Sequence, residues 1–155
     1  VYMVPAFVGL GTPYWAPHAK GAMYGCTGGT DERHLARAAL ESIAYQSMDV
    51  IDVMTQESNI DLKVLKVDGG ATANRFLMQF QSDILNIEVV RPEMLETTAL
   101  GAFYLAALQS KWFIDMNHLN DLDTNMTMFK PRMRQEDRVK NIEGWKDAVS
   151  RTMTT

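Results

Sequence analysis

Hydrophobic runs and helical periodicities alternate along the chain in an α/β order. Residues 1–8 (VYMVPAFV) read as a strand that runs into a loop rich in Gly, Pro and aromatic residues, Gly9 to Pro17, with a second short strand near Ala22 to Cys26. Gly9, Gly11, Pro13, Tyr14, Trp15 and Pro17 set rigid turns beside large flat side chains, which suits either a packed surface loop or the wall of a cleft. Gly28, Gly29 and Thr30 close this region, and Thr30 can cap a long helix whose first turn carries Asp31 and Glu32, the charges a helix N-terminus favours. Leu35, Ala39, Ile43, Gln46, Val50 and Met54 recur at spacings of three and four, which predicts one mostly apolar face turned toward a sheet. The pattern fades at Glu57 to Asn59. Arg37, Glu41 and Gln46 are assigned to solvent, with contact to another domain as the alternative.

Residues 62–90 carry the densest signal. Leu62 to Val67 alternates and meets Asp68, Gly69 and Gly70; Ala73 to Leu85 is then helical in period through Leu77, Phe80 and Ile84; residues 87–90 (IEVV) read as another strand. A parallel pair needs such a crossover, and ligands of open α/β sheets gather beyond the C-terminal ends of parallel strands, where Gly69 and Gly70 fall. A third helix is expected from Thr98 to about Leu108. Its Ala99, Gly101, Ala102, Ala106 and Ala107 leave room for close packing. Asp115 to Asn125 reads as a solvated connector without the spaced ligands of a calcium loop. Residues 135–152 predict a tail helix with Val139, Ile142, Trp145, Val149 and Met153 on one face, laid on the third helix or the sheet edge.

Composition narrows the possibilities. The 155 residues suffice for one domain with a core, and the start at Val1 without an initiator Met is read as internal to a longer protein. No apolar run approaches the roughly 20 residues that span a bilayer and no secretory signal is visible, so a soluble, cytoplasmic setting is expected. A net charge of -4 argues against general affinity for nucleic acid. Cys26 has no second cysteine to pair with, and His18, His34 and His118 lack ligand spacing, so no metal site is expected.

The candidate chemistry sits at Asp68, Gly69 and Gly70. Two glycines between strand and helix let backbone approach a ligand closely, and the helix start behind them offers free N–H groups to an anion. Asn74 lies four residues past Gly70, where its amide can reach the same cleft or simply cap a helix. Asp68 can cap a helix start or orient a cation-bearing ligand. No acid and base pair stands out, so no catalytic residue is assigned.

The runs VPAFVGLGTPYWAP (Val4 to Pro17), GAMYG with HLARAALESIAYQ (Gly21 to Gln46), VDGGATANRFLMQFQSDIL (Val67 to Leu85) and ETTALGAFYLA (Glu96 to Ala106) together resemble the C-terminal region of the glycerol kinases, within the carbohydrate kinase family. The resemblance extends through FKPRM and GWKDAVSR to about residue 152. It implies a ribonuclease H-like and actin-like ATPase lobe, a mixed sheet flanked by helices, spanning residues 1–155 and including the 135–152 helix. It further implies ATP-dependent phosphorylation of glycerol to sn-glycerol 3-phosphate, with Mg²⁺ between phosphate oxygens. Carried over residue by residue, Gly70 becomes a backbone contact to the nucleotide, Asn74 a side-chain contact on the adenosine side, and Gly69 the source of the tight turn. The family's base and polyol clamp would precede Val1. A homo-oligomer, dimer or tetramer, is implied, and some bacterial members present the tail region to a sugar-transport regulatory protein. The competing readings are a related kinase of xylulose, ribulose or gluconate, an actin-like nucleotide switch without small-molecule transfer, and a structural lobe kept for assembly.

Overall fold

Pro5 sets the length of the first strand. In the computed structural model, which describes residues 1–94, 96–113 and 125–154, β1 covers Tyr2–Val4 and stops where proline removes a ladder N–H. It pairs antiparallel with β2 (Ala22–Tyr24), Tyr2 opposite Tyr24. Both strands are shorter than the runs 1–8 and 22–26. The helix α1 (Glu32–Ser58) is capped by Asp31 and not by Thr30. The Asp31 carboxylate accepts from the N–H groups of Arg33 and His34, whereas the Thr30 hydroxyl accepts from Thr27 N in the preceding turn. Asn59, in the left-handed conformation at φ 55°, ends the helix where the apolar pattern fades.

The second sheet carries the strand, helix, strand unit. β3 (Val64–Lys66) leads through a 3₁₀ turn at Gly70–Ala73 into α2 (Arg75–Leu85) and back to β4 (Glu88–Pro92), which lies parallel to β3 with Leu65 opposite Val89. Then come α3 (Thr97–Gln109), β5 (Met126–Phe129) and α4 (Gln135–Met153). β5 runs antiparallel to β4, Phe129 opposite Val89, so the three-stranded sheet is mixed, in the order β3, β4, β5.

The core lies where α1, α2 and α4 meet β1 and β4. Tyr45 of α1 stacks on Trp145 of α4 (5.0 Å, 11°) and takes the edge of Phe80 of α2 (5.4 Å, 90°). Leu77, Ile84, Val89 and Val149 fill the space around them.

Three expectations give way here. The buried side of α1 is Ala38, Ser42, Ala44, Tyr45, Met48 and Asp49, while Ile43 and Met54 of the expected stripe are 44% and 62% exposed. Two polar residues sit on the true face because each finds a partner, Ser42 within its own helix by donating to Ala39 O at 2.7 Å and Asp49 across the core by accepting from Trp145. Of the small residues of α3 only Ala107 is buried, for Ala99, Ala102 and Ala106 are exposed and no described atom comes within 4 Å of a Cβ placed on Gly101. Among the described residues the tail helix packs mainly on β1, β2 and α2, with Trp145 against Tyr45 of α1, rather than on α3, burying Trp145, Ala148, Val149 and Thr152 and leaving Val139 and Met153 exposed. Apart from Asn125, the connector expected at 115–125 lies outside the described residues. No helix among the described residues is long and apolar enough to cross a membrane.

Candidate functional site

The parallel pair β3 and β4 ends at a cleft of about 370 Å³ walled by Val67, Asp68, Val90, Pro92, Thr97 and Met126. Val67 N donates to Val90 O at 2.9 Å and extends the ladder one residue past β3 before the chain turns. Gly69 makes that turn at φ +88°, a conformation that side chains rarely tolerate. Gly70 opens the 3₁₀ turn, and a Cβ built on it meets nothing within 4 Å. As the first residue of the turn, Gly70 has an N–H with no acceptor inside it. Thr72 locks the turn from within, its N–H and its hydroxyl both donating to Gly69 O, at 3.0 and 2.7 Å.

Asn74 is exposed and caps α2, its Oδ1 accepting from Leu77 N at 3.1 Å. Capping uses only the oxygen, so the amide NH₂ stays available to solvent or to a ligand. The expected helix does not begin directly behind Gly70, because the 3₁₀ turn intervenes and α2 starts only at Arg75. The positive φ belongs to Gly69 and not to Gly70. Asp68 accepts a hydrogen bond from the Thr97 hydroxyl, which ties the start of α3 to the end of β3 across the cleft. The structure therefore brings Asp68, Gly69 and Gly70 to one rim, with Asn74 one turn beyond.

Sequence reasoning passed over Thr72, Arg91 and Thr97. Arg91 Nη1 donates to Thr72 O at 2.6 Å. Its signal was the strand period, since alternation from buried Val89 turns Arg91 to the inner face, but the charge beside Pro92 reads as the start of a loop.

Elsewhere, the Gly9 to Pro17 loop is packed on one side and open on the other. Tyr14 turns its hydroxyl toward the Asp49 carboxylate while Trp15 is 74% exposed. Burial holds the Asp49 carboxyl above the ordinary carboxylate range, and the hydrogen bonds from Trp145 (2.8 Å) and Tyr14 pull it partly back. Burial, followed by Asp49, raises the Tyr14 hydroxyl. This cluster pins the loop to α1 and α4 and takes no part in the cleft.

The model of the FGGY family of carbohydrate kinases, C-terminal domain, matches residues 1–110. Among curated proteins, glycerol kinase of Shewanella baltica (strain OS185) is 55% identical, covering 98% of this chain and 31% of that protein. Glycerol kinase 1 of Clostridium tetani is 54% identical, covering 99% and 31%. The chain thus spans about a third of the length of the curated relatives it matches. The crystal structure of Plasmodium falciparum glycerol kinase with ADP superposes with a TM-score of 0.84 at 38% identity, over 97% of this chain and 30% of that one. Gluconate kinase from Lactobacillus acidophilus shares the fold, with a TM-score of 0.74 at 18% identity over 99% of this chain and 31% of that one. The actin-like ATPase fold with a mixed, helix-flanked sheet is the one expected from the sequence.

Proposed function

Because this chain belongs to the FGGY family of carbohydrate kinases, as a C-terminal domain, we propose that it is the nucleotide-side lobe of a glycerol kinase that moves phosphate from ATP to the terminal hydroxyl of glycerol. The product is sn-glycerol 3-phosphate. The observation that carries this reading is the Gly69–Gly70 turn, which lies free of side chains at the C-terminal ends of two parallel strands. The glycerol branch rests on the curated relatives.

In this reading the open space at Gly70 would leave backbone N–H groups free for phosphate oxygens, Gly69 supplies the bend, and the Asn74 NH₂, which the helix cap does not use, would serve the adenosine side. Bound Mg²⁺ would spread the charge of the phosphates. No group of three or more His, Cys, Asp or Glu side chains gathers among the described residues. The same proposal takes residues 1–155 as one lobe with α4 built into it, in a cytoplasmic homo-oligomeric enzyme. The exposed side of α4, with Val139 and Met153, is where a regulatory protein would dock.

A substrate panel on the full-length protein tests the activity. Glycerol is expected to be phosphorylated in preference to xylulose and gluconate, and ATP hydrolysis indifferent to the acceptor would sink the assignment. Variants test the site. Gly70→Ala puts a methyl into the open space where this reading seats the phosphates, so it should raise the apparent KM for ATP with little change for glycerol. Asn74→Ala should act more mildly, since one hydrogen bond is worth about 0.5–1.5 kcal/mol, a several-fold effect. Unchanged ATP affinity in both folded variants would overturn the placement of the nucleotide.

A further inference from the structure

We infer that Arg91 is a positioning residue for the nucleotide turn, acting through Thr72 without touching the ligand. The inference rests on the nucleotide reading of the Gly69–Gly70 turn. Successive strand residues point to opposite faces, and Val90 and Pro92 wall the cleft, so Arg91 and the fully buried Val89 turn to the other face. There the guanidinium lies 5.7 Å from the centroid of the Phe129 ring and donates through Nη1 to Thr72 O at 2.6 Å.

Thr72 is only 5% exposed, so its carbonyl has little access to water, and the charged donor answers it strongly. Thr72 in turn grips Gly69 O with both its N–H and its hydroxyl. A chain of three hydrogen bonds therefore runs from β4 to the residue that bends the backbone at the cleft. Nε of Arg91 is buried with no acceptor among the described residues. A surface arginine in that state would gain by swinging into water; the Thr72 bond and the Phe129 face hold this one inside. Removing the guanidinium leaves the Thr72 carbonyl without its donor and lets the turn relax, which misplaces the Gly70 N–H and leaves the polyol side untouched.

The experiment uses the full-length kinase carrying Arg91→Met, Arg91→Lys or Thr72→Val, with Gly70→Ala as the reference for the turn. Arg91→Met is expected to raise the apparent KM for ATP about five- to tenfold, less than a charge-assisted hydrogen bond made directly to the ligand would give because the effect reaches the nucleotide only through the turn, while the KM for glycerol stays within about twofold. Arg91→Lys, which keeps a cationic donor, should recover part of that loss. Thr72→Val, which removes only the hydroxyl grip, should shift ATP in the same direction by less, and it carries the test if Arg91→Met does not fold. A merely structural arginine would lower thermal stability and raise both KM values alike, and that result overturns the inference. So does normal ATP affinity in folded Arg91→Met and Thr72→Val beside a weakened Gly70→Ala. If Gly70→Ala itself binds ATP normally, the nucleotide reading fails and the inference falls with it.

Discussion

Asp49 is a carboxylate that the fold has surrounded, and its proton is a stability reporter. Burial raises its carboxyl above the ordinary range, so the folded state binds that proton more tightly than the unfolded chain does. The penalty is absent below the ordinary carboxylate pKa and grows as pH rises toward the folded value. Asp31 and Asp137, lowered by Arg33 and Arg134, act in the opposite sense. Asp49→Asn keeps an oxygen for Trp145 Nε1 and removes only the Asp49 titration, so the other carboxylates contribute equally to variant and parent. Relative to the parent, the variant's urea midpoint should gain as pH rises above the ordinary carboxylate pKa. A constant offset there would assign the dependence to other groups. Asp49→Ala strands the Trp145 donor in the core and should cost about 1–3 kcal/mol.

The tail helix meets the first strand through a single missing side chain. A Cβ on Gly144 would overlap the Tyr2 ring, which itself leans on Tyr45 at 6.1 Å. Gly144→Ala should therefore destabilise by about 1–3 kcal/mol, as overpacking does, and should cost clearly less in a Tyr2→Ala background. Equal costs in both backgrounds would disprove the contact. The tail helix was legible because Trp145 and Val149 stand four apart among charges, and α2 because Leu77, Phe80 and Ile84 mark one face and Asn86 takes up the left-handed cap. The buried face of α1 was not legible. Ser42 and Asp49 look solvent-facing until their partners are known, and one of those partners, Trp145, lies 96 residues away in sequence. The glycine turn was legible at Gly69 and Gly70, where backbone chemistry follows from the residue type. The supports at Thr72, Arg91 and Thr97 were hidden because their roles depend on where three separate elements end.

As a whole, the molecule offers the glycine rim at the end of β3 and large apolar side chains facing outward. Phe7 is 82% exposed, Val8 96% and Trp112 74%, as expected of a lobe that works against another. Produced alone, the 155-residue chain is expected to form no measurable glycerol 3-phosphate, because an aligned acceptor and a base are needed beside the nucleotide. An assay at high protein concentration with ATP and Mg²⁺ checks this. Product that tracks the purified chain and disappears with Gly70→Ala would refute it. β4 gives the lobe a further property. Its even positions, Val90 and Pro92, wall the cleft, while its odd positions, Val89 and Arg91, serve the interior. A change at Pro92, which is only half-buried, falls on the face of the strand opposite to the side chains of 89 and 91, so the wall of the cleft can vary along one edge of a strand while its other edge stays fixed.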